Sequence, residues 1–187
     1  MKKTIPLLIL LIISVITCAC VNTVAVHKLN EIASECMEKD DVQCAISRLE
    51  SSVDLDPSIY ESRYNLAVSY VKAGKCEEAL KQLDEAQKLD DTQGSLYYTL
   101  GIANNCVADS FKYRKNEDGI EEKIVFDNEE DKAQAQESYI NYLTAANNAF
   151  EKYLQSKDSN TNRDEVQYLI ETNKQIINGD IGDDVTE

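Results

Sequence analysis

The chain has 187 residues and a formal net charge of −15 at pH 7. Such an acidic balance excludes nucleic acid as a partner, because phosphate binding requires a basic face. Only two prolines and six glycines, with 43% apolar residues, favour a helical protein with an aliphatic core.

The first residues, MKKTIPLLILLIISVITCAC, combine two lysines, an apolar run and small residues before a cysteine. This order is typical of an export signal, and the run is shorter than the roughly 20 residues that a membrane-spanning helix needs. We therefore expect residues 1–19 to be a signal peptide that is removed. The segment resembles the lipobox of bacterial lipoproteins, which implies that Cys20, directly after Ala19, carries the lipid.

The lipoprotein resemblance also implies a location. Lipid on Cys20 anchors the chain to the cell envelope, and in a Gram-negative cell Val21, in place of aspartate, implies the periplasmic face of the outer membrane. Without the two leader lysines the formal net charge is −17, so the protein is repelled by anionic lipids and the membrane contact depends on the lipid. The alternative is ordinary cleavage after Ala19, which gives a soluble periplasmic or secreted repeat protein that binds a cell-wall or extracellular ligand.

A period of 34 residues follows the leader. The first copy consists of Leu29, Ile32, Ala33, Cys36, Ala45, Leu49 and Pro57. A shift by one period finds Leu66, Ala67, Tyr70, Ala79, Leu83, Ala86 and Asp91, and a second shift finds Tyr97, Leu100, Gly101 and Asn104. The small residues of each copy allow two antiparallel helices to approach closely, while the larger ones fill the space between them.

This pattern resembles the tetratricopeptide repeat (TPR). The resemblance implies an all-α fold, an α-solenoid of about three helical hairpins within a domain at 20–178. We expect repeats at 26–59, 60–93 and 94–160, and an insertion at 107–132 inside the third repeat. Within the insertion, FKYRK and EKIVF around NEDG predict either a β-hairpin or a disordered acidic loop.

The end of the chain predicts a cap for the repeat array. Residues 162–178 have an amphipathic pattern, so we expect a helix that covers the open end of the last repeat. Asn162 and Glu165 are spaced as a capping box for the start of that helix. Residues 179–187 are expected to be an acidic tail.

Four further cysteines follow Cys20, an even number in a chain expected to leave the reducing cytoplasm. Four cysteines allow three pairings. In the geometry of the resembled repeat, Cys36 and Cys44 flank one turn, whereas Cys76 and Cys106 lie at the same end of neighbouring helices. We therefore expect these two disulfides. The alternative is four free thiols that pack as small core residues.

In TPR proteins the first helix of each hairpin lines a concave groove that holds peptides or partner proteins. The equivalent positions here are Asn30, Ser34, Met37, Tyr64, Val68, Val71, Tyr98 and Ile102. Lys72 is the only basic candidate on this surface for a clamp that binds a terminal carboxylate. We expect an apolar strand or helix docked against Tyr64 and Tyr98 instead, or, alternatively, tyrosines that only pack on neighbouring helices.

The sequence contains one histidine, His27, and lacks the G-x-S-x-G, H-E-x-x-H and phosphate-loop motifs. We therefore expect no enzymatic activity, no catalytic residue, no metal or cofactor and no small-molecule substrate. The resemblance implies a lipid-anchored adaptor that binds a protein or peptide partner, as in the assembly of pili, secretion systems or outer-membrane barrels. An accessory subunit of an envelope enzyme is a further alternative.

Overall fold

The computed structural model describes residues 23–115, 121–157, 159 and 161–179. The predicted signal peptide, Cys20, the NEDG turn and the tail beyond Gly179 lie outside the described residues. Within these ranges the helices are α1 (23–38), α2 (Val42–Leu55), α3 (Tyr60–Lys72), α4 (Cys76–Leu89), α5 (Gly94–Asp109), α6 (Glu129–Gln155) and α7 (Arg163–Asn178). None of these helices combines the length and the apolar character that crossing a bilayer requires.

The helices form three consecutive hairpins, α1 with α2, α3 with α4 and α5 with α6, followed by α7. Each helix from α2 onward packs on the next one along the chain, and α3 also contacts α5. The small residues of the period are buried where two helices meet, with Ala45, Ala67 and Ala79 fully inaccessible. The prediction of an α-solenoid of about three hairpins with a C-terminal helix is confirmed.

The turn between α1 and α2 is determined by two neighbouring aspartates. Asp40 adopts the left-handed conformation with φ of 59°, which ends α1 and which short polar side chains tolerate better than most. The carboxylate of Asp41 accepts a hydrogen bond of 3.0 Å from the backbone N–H of Cys44. Asp41 is thus the N-cap of α2, so α2 begins at the residue that follows it.

The first two hairpins and the start of α5 share one hydrophobic core. A second core joins α6 to α7 through Phe150, Tyr153, Val166 and Ile170, and half-buried side chains of α5 pack against it. The solenoid is therefore continuous from α1 to the last helix, and α7 covers the final hairpin as the sequence predicts.

The segment between α5 and α6 contains the β-hairpin, one of the two alternatives predicted for the insertion. Strands β1 (Tyr113–Lys115) and β2 (Glu121–Lys123) pair antiparallel, with Tyr113 opposite Lys123. Helix α5 continues to Asp109 and α6 begins at Glu129, so both ends of the predicted insertion at 107–132 are helical. Ala108, in the last turn of α5, is buried in a cluster with Tyr139 and Leu143 of α6.

The predicted capping box at the start of α7 is wrong. Asn162 is the N-cap residue, but its side chain makes no capping hydrogen bond. The side chains of Asn162 and Glu165 instead both reach the hydroxyl of Tyr98 on α5. These side chains therefore make a tertiary contact between α5 and α7 in place of the predicted capping hydrogen bonds within α7.

Two disulfides link helix ends, in the pairs that the sequence predicts. Cys36 of α1 is joined to Cys44 of α2, with a Cα–Cα separation of 5.8 Å. Cys76 of α4 is joined to Cys106 of α5, at 6.0 Å. Both separations fall within the range of protein disulfides. The first bond closes a single hairpin turn, whereas the second fastens one repeat to the next.

Removal of the inter-repeat disulfide should destabilise the protein more than removal of the hairpin disulfide. The two bonds span 30 and 8 residues. The loop-entropy model gives about 3.6 kcal/mol for the longer loop and about 2.5 kcal/mol for the shorter one. Urea unfolding of the Cys76→Ser/Cys106→Ser and Cys36→Ser/Cys44→Ser variants measures the difference. An equal loss of unfolding free energy in both variants would contradict the expectation.

Candidate functional site

The helices α1 and α3 lie side by side and enclose a cavity of about 230 Å³ on the side of the first helices of the hairpins. Its lining contains four of the eight predicted groove residues, namely Asn30, Ser34, Met37 and Val68. The remaining lining residues are Ala33, Leu49, Asn65 and Ser69. All eight are uncharged, so the cavity combines an apolar floor with amide and hydroxyl groups.

Asn30 is held by its side-chain amide on the lining of this cavity. Its Nδ2 lies within hydrogen-bond distance of three acceptors, the carbonyl oxygen of Val26 at 3.0 Å, Ser52 Oγ at 2.9 Å and Ser62 Oγ at 2.8 Å, which share its two hydrogens. The two buried serine hydroxyls also bond each other, at 2.9 Å. Asn30 therefore fixes α1 against both α2 and α3, and its donor capacity is used within the fold.

Asn65 is the exposed amide on the lining of the same cavity. Its Nδ2 makes one long contact of 3.4 Å to Asn30 Oδ1. A distance of this size indicates a weak hydrogen bond. Asn65 therefore keeps more hydrogen-bonding capacity for a ligand than Asn30 does.

An exposed ion pair joins the end of α3 to the turn after α1. The ammonium of Lys72, at the end of α3, lies 2.7 Å from the carboxylate of Asp40 in the α1–α2 turn. The hydrogen bond from Lys72 holds the pKa of the Asp40 carboxyl below its usual value. The one basic candidate for a carboxylate clamp is thus already paired within the protein.

The two groove tyrosines make the neighbouring-helix contacts that the alternative interpretation predicts. The ring of Tyr64 stacks on Tyr60 with centroids 5.8 Å apart, and its hydroxyl lies 3.3 Å from Thr99 Oγ1. The ring of Tyr98 packs on Tyr153 of α6, with centroids 5.4 Å apart. Burial raises the pKa of Tyr98 above its usual value. Neither tyrosine lines the cavity between α1 and α3.

The other two predicted groove residues contribute to packing. Val71 is half-buried against the core of the first two hairpins. Ile102 is half-buried against the second core, beside Tyr98. The structure therefore brings the groove residues of the first repeat together with Val68 in one cavity lining, and the other four predicted groove residues lie outside that lining.

Sequence reasoning missed Asn65 and Ser69 as lining residues. Carrying the positions of the first repeat forward by 34 residues selects 64, 68 and 71, one step away from both. The missed signal is the helical spacing itself, because residues 65, 68, 69 and 72 share one face of a helix. Within the described ranges, no group of His, Cys, Asp or Glu side chains is arranged to hold a metal ion.

Comparison with solved structures identifies the fold. The second TPR domain of human RPAP3, solved with an HSP70 peptide, matches with a TM-score of 0.57 and 16% identity over 82% of this chain and 98% of that one. The TPR2B domain of yeast Sti1, solved in a pHsp70 complex, gives a TM-score of 0.53, 16% identity and the same coverages. No protein-family model and no curated protein matches the sequence. The chain has the fold of a TPR protein.

Asn30 and Asn65 both line the cavity, but their replacement by alanine should change the free energy of unfolding by different amounts. Asn30→Ala removes the amide that three acceptors share and leaves buried polar groups with fewer partners, so we expect a loss of about 1–3 kcal/mol in unfolding free energy. Asn65→Ala removes one long contact at the surface and should cost less than about 0.5 kcal/mol. Urea unfolding of both variants measures this, and equal losses would contradict the assignment.

Proposed function

We propose that this protein is a non-catalytic adaptor, anchored to the cell envelope by lipid on Cys20, that binds a protein or peptide partner in the groove between α1 and α3. The observation that carries the proposal is the uncharged cavity lined by Asn30, Ser34, Met37 and Val68. A concave surface with an apolar floor and a few fixed polar groups is suited to binding a ligand. The structures that share its fold include two TPR domains solved with Hsp70 or its peptide.

The two disulfides support the exported location. Disulfides persist in oxidising compartments and are rare in the cytosol of mesophiles. Both pairs lie within bonding distance in the folded chain. A protein that matures outside the cytoplasm is also what the N-terminal leader predicts. We infer that the partner is encountered in the same compartment, where the adaptor serves assembly of an envelope complex.

A photoreactive side chain at position 34 should crosslink the partner. Ser34 is exposed and lines the cavity, whereas Ser47 is exposed on α2 and does not line it. We expect benzoylphenylalanine at position 34, introduced in the native cell, to give an adduct with a second protein that mass spectrometry maps to the groove. The same group at position 47 is the matched control. Equal adducts at both positions, or none at position 34 in a folded protein, would contradict the groove as the binding site.

Intact mass tests the anchor. Protein purified from its native membrane without reductant should begin at Cys20, carry added acyl mass and lack the four hydrogens that two disulfides remove. Cys20→Ala should move the protein into the soluble fraction, since the net charge gives it no attraction to anionic lipid. An unmodified chain that begins at Cys20 or later would instead support the soluble periplasmic or secreted alternative.

A further inference from the structure

Three contacts join α3 to α1 and to the turn after α1 along the groove cavity. Asn65 donates to Asn30 at 3.4 Å, Ser69 donates to the thioether of Met37 at 3.7 Å, and Lys72 pairs with Asp40 at 2.7 Å. The side chains of Met37 and Val68 line the cavity. A cavity of about 150 Å³ holds one benzene molecule, so this space of about 230 Å³ has room for one aliphatic side chain.

The charges beside the cavity are unsuited to an acidic ligand. Lys72 is paired with Asp40, so a ligand carboxylate would have to displace an ion pair to reach that ammonium. On the α1 side, Glu31 and Glu38 lie on the same helical face as Ser34, three residues before it and four after it. Both glutamates are exposed. Glu31 is neutralised by Lys28 at 2.8 Å, which leaves Glu38 to attract a cation.

We propose that the groove binds an extended peptide that inserts one aliphatic side chain between α1 and α3 and carries lysine or arginine beside it. This inference rests on the proposed function and adds the chemistry of the partner. The expected ligand differs in charge from the HSP70 peptide bound by the RPAP3 domain, SGPTIEEVD, which has an acidic end. The positive ligand charge complements both Glu38 and the acidic chain as a whole.

We infer an extended conformation for the peptide because the apolar area of the cavity is small. A docked amphipathic helix needs several apolar contacts at i, i+3, i+4 and i+7. Here the cavity lining combines the apolar Met37 and Val68 with polar Ser34, Asn65 and Ser69. The amide of Asn65 and the hydroxyl of Ser34 are suited to hydrogen bonds with the exposed backbone of an extended segment. The cavity then binds one aliphatic side chain of the peptide, and Glu38 attracts the basic residue beside that side chain.

Selection from a displayed library of random nonapeptides tests the proposal on the intact mature protein. The expected peptides contain Leu, Ile, Val or Met with Lys or Arg within two positions. Ser34→Trp should cover the cavity and weaken a selected peptide at least about tenfold, as loss of a central anchor does. Ser47→Trp is the matched control and should leave the dissociation constant unchanged. Fluorescence polarisation with the labelled peptide measures all of these affinities.

A charge reversal tests the electrostatic part separately. Glu38→Lys should weaken the basic peptide about threefold to tenfold at low salt, with a smaller effect at high salt. Asp54→Lys makes the same charge change at an exposed position of α2, away from the cavity lining, and should alter affinity much less. Both positions are on the surface, so both variants are expected to fold.

The outcomes distinguish this inference from the proposed function. If the selected peptides are acidic and Ser34→Trp weakens their binding, the groove remains the binding site but the ligand is not basic. If Glu38→Lys leaves the affinity of the selected peptides unchanged, the role of Glu38 in attracting a basic residue is wrong, and the groove again remains the binding site. If no selected peptide depends on Ser34, the cavity is not the binding site, and the crosslinking result at position 34 then decides whether any partner occupies the groove.

Discussion

The close approach of the two helices in each hairpin is the constraint on which the rest of the structure depends. At position 101 the approach is so close that a Cβ atom would overlap the ring of Phe150 on α6. Ala67 and Ala79 have no accessible surface in the middle hairpin. Because a larger side chain at these positions would separate the helices, the small residues fix the register in which each hairpin packs.

The groove is a consequence of stacking these hairpins. Stacking places α1 beside α3, and the Asn30 amide then joins α1 to hydroxyl groups on both α2 and α3. Buried polar groups are stable only when they are paired, so this network specifies one spacing between the helices. That spacing is what leaves an uncharged cavity between α1 and α3.

The third repeat departs from the regular pattern where the array ends. Helix α6 has 27 residues, and Tyr139 and Leu143 in its middle turns pack with Ala108 of α5. The β-hairpin connects these lengthened helices. Asn173 of α7 donates to the side-chain oxygens of Asn105 and Asn147, at 2.9 and 3.0 Å, and so fastens the final helix to both members of the last hairpin. The end of the array is therefore held by polar bonds as well as by apolar contact.

The period of 34 residues and the helical hairpins could be predicted from the amino-acid sequence, because small residues at helix contacts recur at a fixed spacing. The cysteine pairs followed only from the geometry of the repeat that this pattern resembles. The residues that line the cavity depend on how the helices pack in the folded chain. Asn65 and Ser69 line the cavity beside residues of α1. Tyr64 instead stacks on Tyr60 of its own helix and reaches Thr99 of α5, and Tyr98 packs on Tyr153 of α6. Tertiary contacts also redirected the Asn162 side chain from a cap to Tyr98. These outcomes depend on residues far apart in the chain, and a local pattern contains no information on which distant partner will be available.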